Sequence, residues 1–166
     1  AGAERVIDAR NAFIMNSIMR DVVRGGTAAR AMKLGRGDLA GKTGTTNEFV
    51  DAWFCGYNAE LVAVAWIGFD TPQTLGRNET GAQAALPIWM GYMEVALKGL
   101  SEQPLEPPNG VVAMRINPDT GLKAADAQAG IVDYFYQEFL PPEHETLVGG
   151  VMGGDRPREE VRNQLF

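Results

Sequence analysis

Gly41-Lys42-Thr43-Gly44-Thr45-Thr46 is the stretch on which the reading of this 166-residue chain turns. Its threonines favour extended backbone, and its glycines fall where a neighbouring chain must approach closely. A phosphate-binding loop needs a glycine five positions before Gly41, and that position is Arg36, with Gly35 and Gly37 each one residue out. Such a loop also opens a helix, whereas this stretch runs on toward the strand-like Trp53-Phe54. Taken alone, Lys-Thr-Gly is consistent with an edge strand carrying a surface lysine, so its surroundings decide.

Downstream, Asp51-Ala-Trp-Phe-Cys-Gly-Tyr57 and Leu61-Val-Ala-Val-Ala-Trp-Ile-Gly-Phe69 read as two strands. The short Asn58-Ala59-Glu60 between them makes an antiparallel hairpin. The second strand is apolar at nearly every position, which predicts burial on both faces. Three consecutive strands are therefore expected at about 40–47, 51–57 and 61–70. Upstream, Asp8 is the expected N-cap of a helix running to Arg24, with Phe13, Met15, Ile18, Met19, Val22 and Val23 as its apolar stripe and Gly25-Gly26 as its stop. Ala28 to Leu34 suggests a short helix. A further helix is expected at about 82–99, with Pro87 near its start and a broad apolar face of Ile88, Trp89, Tyr92, Met93, Val95, Ala96 and Leu97. Beyond Pro104, Pro107 and Pro108, Val111 to Ile116 reads as a strand, Asn117 to Gly121 as a turn and Leu122-Lys-Ala as a returning partner. Asp133 to Leu140 is an aromatic-rich segment of undetermined type, and the sequence from Pro141 is polar and Gly-rich. The chain thus divides into residues 1–100, a helix-and-sheet portion, and 101–166, an extension.

Composition narrows the function. A net charge of −6, from 15 Lys+Arg against 21 Asp+Glu, argues against binding a phosphate backbone. One cysteine, Cys55, excludes an internal disulfide, and no run of about 18 apolar residues is long enough to span a bilayer. No Cys/His grouping has metal-ligand spacing, and no cofactor is expected. His144, the only histidine, reads as a solvated loop residue, Cys55 as a buried thiol, and Trp53, Trp66 and Trp89 as core residues, with Trp53 able to border a site instead.

Several segments together resemble the class A penicillin-binding proteins. They are Arg24-Gly-Gly-Thr-Ala28, Ala40-Gly-Lys-Thr-Gly-Thr-Thr-Asn47, Asp51-Ala-Trp-Phe-Cys-Gly-Tyr57, Trp66-Ile-Gly-Phe-Asp70, and Thr80-Gly81 followed by Ala85-Leu-Pro-Ile-Trp89, in order and at close to the spacing of that family. The resemblance covers residues 8–100 well and the remainder weakly. It implies the penicillin-recognising α/β (α+β) fold, an antiparallel sheet flanked by helices, of which this chain holds the C-terminal portion. The other two strands and the helical part are expected upstream, and a sheet lacking two strands is expected to be poorly soluble or partly molten in isolation.

The implied chemistry is D,D-transpeptidation of peptidoglycan stem peptides through a serine acyl-enzyme, with β-lactam antibiotics as acylating mimics. Lys42, Thr43 and Thr45 are expected to present one ammonium and two hydroxyls on one strand face, gripping the substrate's terminal carboxylate, with Gly44 turned the other way. By resemblance, Lys42 and the Thr45 N–H (an oxyanion donor) are the catalytic contributions, and Thr43, Gly44, Thr45 and Thr46 the substrate-binding ones. Of the two serines, Ser17 is followed by Ile-Met-Arg20 and Ser101 by Glu-Gln-Pro, so neither starts Ser-x-x-Lys and no nucleophile is assigned in this chain. The expected partners are stem peptides, β-lactams and the upstream half of the same domain, with no nucleic acid and membrane contact only through an anchor elsewhere. The implied location is the periplasmic side of the bacterial inner membrane, in a parent that also carries a glycosyltransferase. The alternative is a non-catalytic binding domain on the same scaffold.

Overall fold

A computed structural model describes residues 4–124 and 130–143. They fall in two compact units, Ala1–Val112 and Ala113–Phe166. The first is built on helix α1 (Ala9–Arg24), strands β1 (Ala40–Thr45), β2 (Ala52–Tyr57) and β3 (Val62–Ile67), and helix α2 (Leu86–Ala96). The second holds most of β4 (Val111–Ile116) together with β5 (Ile131–Tyr136), which form a two-stranded sheet. The returning partner expected at Leu122-Lys-Ala is a single antiparallel bridge between Lys123 and Ile116.

The sheet of the first unit has the order β1-β2-β3, antiparallel throughout, with Gly44 opposite Trp53 and Trp53 opposite Trp66. The Asn58 side chain closes the hairpin by accepting from the N–H groups of Glu60 (3.1 Å) and Leu61 (2.9 Å). The connection is Asn58–Leu61, one residue longer than expected, and these bonds are the local reason it turns tightly. Asp8 caps α1 as expected, its carboxylate accepting from Arg10 N–H at 2.9 Å.

Directly opposed residues share a face, so Gly41, Gly56 and Ala63 form one row of the sheet and Thr43, Phe54 and Ala65 the next. This face packs on α2. Phe54 and Trp89 meet edge to face with centroids 4.9 Å apart, and the Trp89 indole N–H is shared between the carbonyls of Gly56 (3.3 Å) and Ala63 (3.1 Å). The glycines make the slot for these rings: a Cβ at Gly56 would lie 2.6 Å from Trp89, and one at Gly41 would lie 2.7 Å from Phe54. Leu86, Met93 and Leu97 complete the buried side of α2.

The other face corrects the expectation of a doubly covered sheet. Val62 is 76% exposed, Val64 56%, Trp66 45% and Trp53 39%, and Cys55 is exposed beside them. Of the three tryptophans, only Trp89 is a core residue. On α2, likewise, Ile88, Tyr92 and Val95 point outward, so half of its broad apolar face is uncovered. Apolar composition in β3 signals what a strand can bury, whereas actual burial needs a partner layer.

A polar clamp ties the chain after α2 to the loop before β1. Arg36 pairs with buried Asp38 at 2.7 Å and donates to the carbonyls of Leu100 (2.7 Å) and Ser101 (3.3 Å), while Asn58 donates to Asp38. Burial pushes the Asp38 carboxyl up, but hydrogen bonds from Arg36 and Asn58 outweigh it and hold the group below its ordinary 3.8. A depressed folded value means the clamp's contribution is intact above about pH 4 and is lost as pH falls through the folded value. Asp38→Asn is therefore expected to destabilise the fold at neutral pH, and its stability gap from the natural chain should close on acidification. Urea titrations across that range would show a constant gap if the pair were inert.

Candidate carboxylate site on the edge of the sheet

β1 has β2 on one side and no strand on the other among the described residues. The ladder fixes which of its peptide groups are free. Thr46 N–H donates to the Asp51 carbonyl at 3.1 Å, so the 46/51 pair is hydrogen-bonded. Alternation along an antiparallel pair then turns the N–H and C=O groups of Thr43 and Thr45 away from β2, toward the open edge.

Side chains alternate with the same period, and this corrects the expected face. Thr43 and Thr45 point to one side, whereas Lys42 and Gly44 point to the other, in rows with Cys55 and Trp53. Gly44 is bare because Trp53 lies over it: a Cβ there would sit 3.1 Å from Trp53 Cβ. Lys42 nevertheless reaches Thr43, because its flexible stem bends around the strand edge. Its Nζ donates to the outward Thr43 carbonyl at 2.9 Å and lies 3.5 Å from Thr43 Oγ1. The groups converge at an edge, not across a face.

The remaining predicted residues separate. Thr45 Oγ1 accepts the Gly81 N–H at 3.0 Å, which commits that oxygen to the segment leading into α2. Thr46 Oγ1 accepts from Asp51 N–H at 2.7 Å and so closes the β1–β2 connection. In that connection Glu48 and Phe49 both have positive φ, 57° and 56°, a left-handed pair without glycine. Asp51, unassigned from sequence, accepts the Trp66 indole N–H at 2.9 Å. Ser17 is buried on α1, and Ser101 contributes its carbonyl to the Arg36 clamp. His144 lies outside the described residues. Among the described residues no group of three or more His, Cys, Asp or Glu side chains is placed to hold a metal, and no helix is long and apolar enough to cross a membrane.

One participant was missed by sequence reasoning. Thr27, in the loop after α1, has its Oγ1 2.9 Å from Thr43 Oγ1. Its position in Arg24-Gly-Gly-Thr-Ala28 was part of the resemblance, but nothing in the local pattern joins residue 27 to residue 43.

Comparison with known proteins adds the following. No protein-family model matches the chain. Penicillin-binding protein 1A of Pseudomonas aeruginosa is 48% identical over 160 residues, 95% of this chain and 20% of that protein. Penicillin-binding protein 1A of Neisseria flavescens is 54% identical over 110 residues, 66% of this chain and 14% of that protein. The crystal structure of penicillin-binding protein 1A from Haemophilus influenzae superimposes with a TM-score of 0.77 at 36% identity, over 84% of this chain and 22% of that one. The match thus spans between 14% and 22% of the length of these relatives.

Proposed function

Because the chain belongs among the penicillin-binding protein 1A-like sequences, as a stretch spanning 20% of its Pseudomonas relative, we propose that it supplies the substrate-carboxylate edge of a serine-type D,D-transpeptidase that cross-links peptidoglycan. The observation that carries this reading is the meeting of the Lys42 ammonium with Thr43 at the open edge of β1, the edge toward which the ladder also turns the Thr45 N–H. An extended peptide laid along that edge pairs with outward peptide groups as an added strand, and its terminal carboxylate meets a cation and a hydroxyl.

In the proposed reaction a serine elsewhere in the full-length protein attacks the penultimate D-Ala carbonyl of a stem peptide. The peptide bond breaks, terminal D-Ala leaves with a proton, and an amine of a neighbouring stem then displaces the serine to form the cross-link. The Thr45 N–H acts as one donor to the oxyanion formed in each step, a contribution typically on the order of 3 kcal/mol to the transition state. β-Lactams enter the same seat by their carboxylate and acylate the same serine. A glycosyltransferase portion, an inner-membrane anchor and action on the periplasmic side complete the proposal for the whole protein.

Incubation with a fluorescent penicillin tests it. The full-length protein is expected to become covalently labelled and this chain alone to remain unlabelled. Labelling of the isolated chain, or none on the full-length protein, contradicts the reading.

A further inference from the structure

We propose that Thr27 is a positioning residue of the carboxylate seat, orienting the Thr43 hydroxyl toward the bound anion; this rests on the transpeptidase reading above. The two hydroxyl oxygens are 2.9 Å apart, and either can donate. Each hydroxyl has one proton. If Thr43 spends its proton on Thr27, it has none for a carboxylate. An anion at the edge therefore selects one arrangement, in which Thr27 donates to Thr43 and Thr43 donates to the anion. Hydrogen bonds in such a chain polarise one another, and the Lys42 ammonium, 3.5 Å from Thr43 Oγ1, favours the same orientation by offering a second donor to that oxygen.

The backbone at Thr27 is fixed for this task. The N–H groups of Gly25 and Gly26 both donate to the Asp21 carbonyl, at 3.0 and 3.1 Å, and Ala28 N–H donates to the Val22 carbonyl at 3.0 Å. The chain leaves α1 so tightly that a Cβ at Gly26 would lie 2.8 Å from Val22 Cα. Thr27 itself is exposed, so its hydroxyl has water available and no buried polar group obliges it to bond Thr43.

The test uses the full-length protein and compares second-order acylation by a penicillin carrying its free carboxylate with acylation by the methyl ester of the same compound. Thr27→Val, which keeps the shape and removes the hydroxyl, is expected to lower the acid-to-ester rate ratio about tenfold, the scale of one hydrogen bond in a charged network. Thr27→Ser should restore the ratio, and pre-heating curves of labelling should coincide for both variants and the natural protein. Thr43→Val separates the role of Thr27 from that of the seat itself. If Thr43→Val collapses the ratio and Thr27→Val does not, the role of Thr27 is overturned and the seat stands. If Thr27→Val slows acid and ester equally, its role is structural and the proposal is again overturned. If Thr43→Val leaves the ratio untouched, the carboxylate seat itself is wrong.

Discussion

Gly81→Ala is expected to destabilise the sheet by about 3 kcal/mol or more, because the new methyl has nowhere to go. A Cβ at this position would lie 2.3 Å from the Trp53 carbonyl oxygen, 2.5 Å from the Gly44 carbonyl oxygen and 3.1 Å from the Gly44 amide nitrogen. All three are backbone atoms in the β1–β2 ladder, so no rotamer change relieves the clash. Either the segment entering α2 lifts off, breaking the 3.0 Å bond from Gly81 N–H to Thr45 Oγ1, or β1 and β2 part. Each response also shifts the edge that carries the candidate site. Heating the full-length variant and measuring residual fluorescent-penicillin labelling should show inactivation several degrees below the natural protein. Coincident curves would mean that the close approach seen here is absent in solution.

Lys42→Met is expected to lower acylation by a carboxylate-bearing β-lactam by roughly 30- to 1,000-fold while leaving the fold intact, the range for removing a charged hydrogen-bond donor from an anion site. The fold should be insensitive because Lys42 is exposed and its ammonium bonds only Thr43 among the described residues. The site should be sensitive because Lys42 is the cation placed beside the Thr43 hydroxyl. Arginine is a poor substitute, since its planar fork does not reproduce a point charge bent over the strand edge. Stopped-flow acylation of the variant at high and low salt measures the effect. A rate within about twofold of the natural protein would remove the electrostatic basis of the proposal.

Most of the local architecture was legible in the chain itself. The 3.6-residue spacing after Asp8 located α1, the Asn58 turn located the hairpin, and the β-forming threonines and close-approach glycines of 41–46 located β1. The helix expected at about 82–99 is a wide turn, Gly81–Ala85, followed by α2 at Leu86–Ala96, with Pro87 in its first turn, where its missing N–H has no intrahelical role. Each of these signals acts over a few residues, within the range of backbone propensity and capping.

Burial and convergence were decided elsewhere. Val64 and Trp66 look like core residues in sequence, yet no described layer covers them. Lys42 and Thr43 point to opposite sides of a strand, yet meet because β1 is an edge around which a lysine can bend. Thr45 Oγ1 is claimed by Gly81, 36 residues later, and Thr43 is joined by Thr27, 16 residues earlier. The sequence by itself determined which segments extend, coil and turn, and that Lys-Thr-Gly lies on a strand. Only the tertiary structure decided which face is covered and which hydroxyls gather at the edge, because those outcomes depend on contacts between elements that local propensity does not encode.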